Sequence, residues 1–221
     1  MDGLTKGIAN ADYHGSDELS RSTASSLLTT SPAKVRWERD HPRPSSLPLI
    51  MGGCFHGMVL EPECLDVEYA IKPPDIDGKS PLTKYYKETF AEMQEERPDA
   101  QWLKADEWKT CLGMADAVLS NPVYTHYASD VEGIAEGTGY FKYNGASCKV
   151  RPDLYTSDGT IIDLKSTQDA SEVGFRKSVR NFSYAFQACW YLEAMRALGL
   201  PAKQFIFIAV EKTGNFQTAS Y

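Results

Sequence analysis

Two runs of strand-forming residues separated by a short turn constrain this chain more than any other feature. The runs extend over residues 148–155 and 160–165, and Ser157-Asp158-Gly159 lies between them. A three-residue hairpin loop with Gly159 in the left-handed conformation pairs Thr156 with Thr160. The sequence therefore predicts a β-hairpin in this register.

The predicted register brings two carboxylates and a lysine together. Asp153 falls opposite Asp163, and period-two alternation places Lys165 on the same face as Asp163. Paired positions lie about 4.5–5.5 Å apart at Cβ, and like charges placed there repel. A bound cation removes that repulsion, and carboxylate oxygens suit Mg²⁺ or Mn²⁺, while Lys165 is placed to act on a water or a phosphate. The alternative is a surface hairpin with incidental charges, since an Asp-x-Lys triplet is a common pattern.

Two further residues are candidate metal ligands. His56 lies in an apolar, helix-like run over 51–60 that stops at Glu61-Pro62. Neutral imidazole is a common metal ligand, although a lone histidine on such a helix is more often a packed core or boundary residue. Glu136 lies in a strand-like run just before the hairpin, where it either adds a carboxylate to the site or faces solvent.

Gln187 and Tyr191 form a third motif. They lie four residues apart in the segment 183–195, which contains no proline or glycine. Spacing of i to i+4 puts both side chains on one helical face, where an amide and a phenol can hold a phosphate or a water. The alternative is that these side chains belong to the core.

These motifs, in this order, resemble the PD-(D/E)xK nuclease superfamily in its RecB-like branch. They are most similar to the RecE-type exonuclease domain of phages and prophages. The resemblance rests on G-x-x-x-H-x-x-x-L-E-P around His56, R-P-D ending at Asp153, D-L-K ending at Lys165 and Q-x-x-x-Y from Gln187 to Tyr191. It extends over about residues 13–211 and implies an α/β fold with a mixed central β-sheet flanked by helices.

The resemblance also implies a role for each matching residue. The metal ligands are His56, Asp153 and Asp163, with Glu136 as a weaker candidate from its position alone. The catalytic set implied is Lys165, Asp153, Asp163, Gln187 and Tyr191. The cofactor implied is Mg²⁺, with Mn²⁺ able to substitute. Asp163 stands where many members carry glutamate. Aspartate keeps the carboxylate, but its side chain is one methylene shorter.

The activity implied by the resemblance is metal-dependent digestion of double-stranded DNA ends from 5′ to 3′. Such digestion leaves 3′ single strands for homologous recombination with a RecT-like single-strand annealing protein. Relatives form closed rings, so a ring-shaped homo-oligomer is also implied. The residues leave three alternatives open: an endonuclease or single-strand nuclease on the same site, a catalytically silent DNA-binding module, and hydrolysis of a small phosphoester.

Net charge is an apparent obstacle to DNA binding, because the chain carries a formal charge of −7. Affinity for phosphate depends on where cations lie, so a local cationic groove can outweigh an acidic exterior. The candidates are Arg151, Arg176, Lys177 and Arg180. Arg151 is favoured because alternation places it on the face of Asp153, although each cation is equally suited to a solvated surface.

Length and composition fit one domain, with 221 residues of which 42% are hydrophobic and 24% charged. We expect a single nuclease domain over 1–221, with an N-terminal helical segment and Pro/Ser connector over 1–48 and a catalytic core over 49–221. The resemblance implies further sheet and a helix after Tyr221, so a truncated C-terminus is one interpretation. Apolar runs fall short of the roughly 20 residues that cross a bilayer, so we expect a cytoplasmic protein. The resemblance implies that it is phage or prophage encoded in a bacterial host.

Periodicity and caps predict the remaining elements. Helices are expected near 19–29, 32–39, 51–60, 80–96, 105–119, 171–181 and 184–198. Strands are expected near 67–71, 131–136, 138–143, 147–155, 160–165, 204–210 and 216–221. The four strands between 131 and 165 are predicted to form the central sheet.

Overall fold

A mixed five-stranded sheet organises the fold in the computed structural model, which describes residues 3–74, 76 and 78–221. The strands, in chain order, are β1 (Tyr69–Ile71), β2 (Gln101–Leu103), β3 (Gly133–Ala135), β4 (Gly139–Tyr143), β5 (Ala146–Val150), β6 (Leu154–Thr156), β7 (Thr160–Thr167), β8 (Gln204–Glu211) and β9 (Thr218–Ser220). The large sheet has the order β3-β6-β7-β8-β9, in which β7 and β8 are parallel and the other neighbours are antiparallel.

Helices cover both faces of this sheet. In chain order they are α1 (Asn10–Gly15), α2 (Arg21–Thr29), α3 (Pro32–Asp40), α4 (Leu47–Leu60), α5 (Leu65–Glu68), α6 (Lys84–Glu96), α7 (Ala105–Leu119), α8 (Pro122–Thr125), α9 (Glu172–Asn181) and α10 (Tyr184–Ala197). The chain therefore has the predicted α/β class, with a mixed sheet between helices. None of the helices in the described part of the chain is both long and apolar enough to cross a bilayer.

The central strand β7 is buried on both faces, as expected for an inner strand with a parallel partner. Ile162 and Leu164 pack with α4 and α7, whereas Ile161 packs with α10 and the β4–β5 hairpin. This division confirms the predicted alternation along β7. Asp163 and Lys165 consequently lie on the face that also receives α10.

Local chemistry explains where several elements begin. Ser20 Oγ accepts a hydrogen bond from Thr23 N at 3.2 Å and caps α2, and Ser31 Oγ does the same for α3 through Lys34 N at 3.3 Å. In α4, a Cβ added at Gly53 would lie 2.3 Å from Tyr69 Oη, so glycine lets this helix pack against the Tyr69 side chain of β1 without displacing it. That close approach fixes the helix that carries the candidate histidine.

Two predictions about the sheet are wrong. The expected strand over 147–155 is divided, because β5 ends at Val150 and β6 begins only at Leu154. Pro152 lies in the break and has no N–H for a sheet hydrogen bond. As a result β4 and β5 pair in a separate two-stranded sheet, to which Leu19 adds an isolated bridge at Cys148, and the predicted four-strand arrangement over 131–165 does not form.

Element boundaries differ at several further places. The predicted cap at Ser80-Pro81 is wrong, since α6 begins at Lys84 and Thr83 Oγ1 accepts a hydrogen bond from Tyr86 N at 3.2 Å. The helix with His56 starts at Leu47, inside the Pro/Ser segment that was expected to be a connector. The short elements α1, α5, α8 and β2 carried no clear periodic signal and were not predicted. Helix α7 has its predicted bounds.

Candidate active site

The β6–β7 hairpin has the predicted register. Leu154 pairs with Ile162 and Tyr155 with Ile161, and Gly159 adopts the left-handed conformation with a φ of +87°. If this pairing is extended by one residue before Leu154, Asp153 lies opposite Asp163. The turn chemistry and the pairing thus bring both carboxylates to one end of the hairpin.

Asp153 is held in place by the neighbouring strand. It lies just outside β6 and is only 8% exposed. Its Oδ2 accepts a hydrogen bond from the backbone N–H of Leu164 at 2.6 Å. Burial raises the pKa of Asp153, while the Lys165 ammonium and the Leu164 amide act in the opposite direction.

His56 reaches the same point from α4. Its Nε2 lies 3.1 Å from the carbonyl oxygen of Leu164, and its Nδ1 lies 3.6 Å from Asp153 Oδ2. Burial, followed by the nearby Lys165 charge, lowers the pKa of His56 to about 4, so the imidazole is neutral at pH 7. Because Nε2 donates its proton to a carbonyl, Nδ1 presents a lone pair toward the Asp153 carboxylate.

Glu136 completes a group of three potential ligands. His56, Glu136 and Asp153 each offer one ligand atom, and these atoms all lie within 4.8 Å of one another. Glu136 follows β3 in a left-handed conformation, with a φ of 50°, and its N–H donates to the carbonyl of Asp153 at 3.0 Å. Burial and then the Asp153 charge raise the pKa of Glu136 well above its ordinary value. The weakest ligand candidate from the sequence therefore lies at the centre of the site.

This donor set fits a divalent cation. A neutral histidine nitrogen and two carboxylates converge with lone pairs facing one another, and such an arrangement is unfavourable without a positive charge between them. Carboxylate oxygens with one imidazole suit Mg²⁺ or Mn²⁺. His56, Glu136 and Asp153 are the residues that would hold the ion.

Asp163, the other predicted metal ligand, contacts two further residues of the site, and its role as a ligand stays a prediction. It is 1% exposed, its Oδ1 forms an ion pair with Lys165 Nζ, and its Oδ2 accepts a hydrogen bond from Gln187 Nε2. Burial raises its pKa to about 6, an effect that Lys165 opposes and Asp153 reinforces. In this arrangement Asp163 holds the candidate catalytic lysine beside the group formed by His56, Glu136 and Asp153.

Gln187 is itself positioned by a residue that sequence analysis missed. Arg21 Nη2 donates to Gln187 Oε1 at 2.6 Å, so the amide nitrogen of Gln187 is directed at Asp163. Arg21 is the first residue of α2, for which the sequence predicted only a helix near 19–29. No local pattern distinguishes Arg21, because its partner lies 166 residues away in the chain.

Tyr191 lies one turn after Gln187 in α10, as predicted. Its ring packs edge-on against Phe205, with centroids 5.9 Å apart. Burial raises its pKa well above the ordinary value, and the charge of Asp163 adds to this effect. The hydroxyl therefore stays protonated and can act only as a neutral donor or acceptor, and its predicted catalytic role remains a prediction.

Arg151 lies in the break between β5 and β6, outside the regular alternation of either strand. The break between β5 and β6 turns its side chain toward the N-terminal segment, where it is 7% exposed. Its guanidinium donates to Thr138 Oγ1 at 2.7 Å, Asn10 Oδ1 at 2.8 Å and the Ile8 carbonyl at 2.8 Å. These contacts indicate a structural role, and the DNA contact of Arg151 stays a prediction.

The other predicted cations lie together on α9. Arg176, Lys177 and Arg180 are exposed and, with Val173, line a shallow depression on this helix. Arg176 also pairs with Glu172 at 2.5 Å. The prediction that this helix face contacts DNA is compatible with its exposure and stays a prediction.

Together, the sheet, the hairpin and the convergence of histidine, carboxylates and lysine define the PD-(D/E)xK class of fold and site. The chain belongs to the family described as a PDDEXK-like domain of unknown function (DUF3799), whose model matches residues 26–221. Among solved structures, it is similar to a protein from Eubacterium rectale named "Putative exonuclease", with a TM-score of 0.67 and 15% sequence identity over 98% of this chain and 78% of that chain. At this identity the likeness supports the fold. No curated protein matches the sequence.

Proposed function

We propose that this protein is a divalent-metal-dependent nuclease that hydrolyses DNA phosphodiester bonds. The observation that carries the proposal is the convergence of His56, Glu136 and Asp153 within 4.8 Å, beside the buried Asp163–Lys165 pair. Three lone-pair donors around one point suit a cation, and a lysine next to that point can act on a water or a phosphate. Membership of the PDDEXK-like family supports the same chemistry.

The metal proposed is Mg²⁺, with Mn²⁺ as a substitute. When bound, it would polarise the scissile phosphate and lower the pKa of the attacking water. His56, kept neutral by burial, provides a nitrogen ligand at neutral pH.

Lys165 is proposed as the catalytic lysine. Asp163 fixes its ammonium by an ion pair, and the Tyr184 ring lies 5.0 Å below it. The lysine side chain is 14% exposed, so its charge acts in a largely water-excluded setting where electrostatic stabilisation is strong. It would orient the attacking water or stabilise the charge that develops on the phosphate.

The finer activity proposed is exonucleolytic digestion of duplex ends from 5′ to 3′. The 3′ single strands produced would pass to a RecT-like annealing protein for homologous recombination, and the nuclease would act as a ring-shaped homo-oligomer. These proposals, like a cytoplasmic location and a phage or prophage origin, rest on the motif resemblance. The name of the similar Eubacterium rectale protein supports the exonuclease class.

The test is cleavage of linear duplexes labelled separately at the 5′ and 3′ termini, in Mg²⁺, in Mn²⁺ and in EDTA. We expect mononucleotides to appear first from the 5′ terminus, only with metal, and to disappear in the Lys165→Ala variant. Covalently closed circles serve as the matched substrate without ends. Cutting of circles at the same rate would favour an endonuclease, and binding without cleavage in either metal would favour a catalytically silent module.

A further inference from the structure

A groove lies next to Lys165, at the start of the β7–β8 crossover. It is lined by the end of β7, by α9 and by the bend between α9 and α10. The lining includes Ser166, Lys177, Phe182, Tyr184 and Lys212. The Lys165 ammonium lies over the Tyr184 ring at 5.0 Å, so Tyr184 joins the groove to the proposed active site.

Phe182 is an unusual residue in this groove. It is 60% exposed, although it is a large apolar side chain with a packed aromatic neighbour. Its ring stacks on Tyr184, with centroids 5.7 Å apart and an interplanar angle of 27°. Since Tyr184 covers one side of the ring, the exposed surface includes the side that faces away from the protein.

The bend between the helices sets this arrangement. Ser183 adopts a left-handed conformation with a φ of 55°, between the last residue of the α9 cap and the first residue of α10. Phe182 and Tyr184 therefore lie on either side of a sharp turn, with their rings stacked on each other. This gives a series of neighbouring groups. The series runs from the Lys165 ammonium through Tyr184 to Phe182 at the surface.

Cations accompany the aromatic series. Lys177 and Lys212 both line the groove, and neither forms an ion pair within the part of the chain that the structure describes. Asp169 also lines it, but its carboxylate accepts a hydrogen bond from Ser171 N at 2.9 Å and belongs to the turn before α9. Positive charge beside an exposed aromatic face is the pattern by which proteins hold single-stranded nucleic acid.

We infer that Phe182 is a base-stacking residue for an unpaired nucleotide of the DNA strand held at Lys165. The base stacks on the exposed face of the Phe182 ring, and the adjoining phosphates lie along Lys177 and Lys212. This inference rests on the proposed nuclease function and specifies the substrate that the site takes: a strand end whose terminal base has left the duplex. A base still paired and stacked in a duplex has no free face for the ring.

The primary test is binding of DNA without cleavage. The probe is a linear duplex with a short overhang that carries 2-aminopurine as its last base, in Ca²⁺ instead of Mg²⁺, with intactness of the probe checked on a gel. Stacking on an aromatic ring changes the fluorescence of this base. We expect the wild-type protein to produce that change and the Phe182→Ala variant to lose it, with binding weaker by about tenfold, since one base–aromatic stack is worth about 1–3 kcal/mol.

Two further variants separate stacking from general effects. Phe182→Trp keeps an aromatic face and should keep both the fluorescence change and the affinity. Tyr143→Ala removes an aromatic residue of similar exposure, 48%, from the separate β4–β5 sheet and should behave like the wild type. Thermal melting of each variant confirms that it is folded, which is expected because these side chains lie at the surface.

The salt dependence tests the proposed phosphate contacts. Lys177→Ala and Lys212→Ala should each make the dependence of log affinity on log salt shallower by about 0.7, the value for one phosphate of a single strand. They should leave the 2-aminopurine signal of the bound probe in place. An unchanged slope in both variants would contradict the placement of the phosphates along the groove.

The outcomes for the two proposals are distinguishable. The inference is overturned if the wild type does not bind the probe, if it binds without the fluorescence change, or if Phe182→Ala behaves like the wild type or like Tyr143→Ala. Because no cleavage is measured, a protein that stacks the base through Phe182 but never cuts DNA would support the inference and refute the nuclease function. A protein that cuts DNA but does not stack the base on Phe182 would refute the inference and support the nuclease function.

Discussion

The carboxylate of Asp153 accepts a hydrogen bond from the backbone N–H of Leu164 at 2.6 Å, across the β6–β7 hairpin. The peptide carbonyl of the same residue, Leu164, lies 3.1 Å from Nε2 of His56. One residue of the central strand therefore positions both a carboxylate and an imidazole of the proposed metal site. It does so through its backbone, so its own side chain is free to fill the core.

The Asp153–Leu164 bond predicts that two substitutions at Asp153 differ in stability but not in activity. Both Asp153→Ala and Asp153→Asn should abolish metal-dependent cleavage, because each removes a charged ligand. Asp153→Ala leaves the buried N–H of Leu164 without a partner, at a cost of about 1–3 kcal/mol in the free energy of unfolding, whereas asparagine keeps an acceptor.

Chemical denaturation of both variants in EDTA, beside a cleavage assay, checks this prediction. The asparagine variant serves as the control for loss of charge alone. Equal stability of the two variants would mean that the hydrogen bond contributes nothing, and full Mg²⁺-dependent cleavage by either would refute the assignment of Asp153 as a ligand.

His56→Ala should raise the concentration of Mn²⁺ or Mg²⁺ needed for residual activity by at least tenfold, because it removes a neutral nitrogen ligand. A histidine that only packs would instead lower the melting temperature and leave the metal requirement as it was. A metal titration together with a melting curve separates these results. His126→Ala is the matched control, since the His126 side chain is 57% exposed and lies outside the site.

Arg21→Ala should lower kcat by about tenfold or more while affecting stability little. Without the bond from Arg21, the Gln187 amide is free to rotate, and Asp163 loses a fixed donor. The measurement is a double-mutant cycle with Gln187→Ala, in which the effect of Arg21→Ala should largely vanish, with a coupling of about 0.5–3 kcal/mol.

Arg39→Ala provides the comparison for that cycle. Arg39 is a surface arginine that pairs with Asp17 at 2.6 Å, so its loss should leave kcat unchanged and its effect should be additive with Gln187→Ala. Additive effects of Arg21→Ala and Gln187→Ala would show that Arg21 does not act through the amide.

The pKa of Asp163 predicts how pH changes the stability of the metal-free protein. The folded state raises this pKa from 3.8 to about 6, so the folded state binds more protons than the unfolded state between these values. The contribution of Asp163 to the free energy of unfolding therefore falls as pH rises through this window. His56, whose pKa is lowered from 6.5 to about 4, acts in the opposite direction over nearly the same range.

The Asp163→Asn variant lacks the titration of Asp163 and keeps that of His56. Its free energy of unfolding, measured in EDTA relative to the wild type, should rise with pH from about 4 to about 6 and then become constant. The slope has an upper limit of about 1.4 kcal/mol per pH unit for one proton. Denaturant titrations at a series of pH values test this, and parallel pH profiles for the two proteins would contradict it.

Much of the hairpin site could be predicted from the sequence. The positions of Asp163 and Lys165 on one face, the register of the hairpin and the left-handed Gly159 all follow from strand periodicity and turn chemistry. The same reasoning did not anticipate the break between β5 and β6, where Pro152, the residue just before Asp153, interrupts the strand. Periodicity holds only while the backbone stays extended.

What the sequence determined by itself is local: the central hairpin, its register, and the helices whose caps and apolar spacing are visible along the chain. Only the tertiary structure decided that Glu136 joins His56 and Asp153, that Arg21 orients Gln187, and that Phe182 lies exposed in a groove beside Lys165. Short-range periodicity and capping depend on neighbouring residues, and their signals can be read directly. Contacts between residues far apart in the chain depend on how layers pack against the sheet, and no spacing in the sequence encodes them.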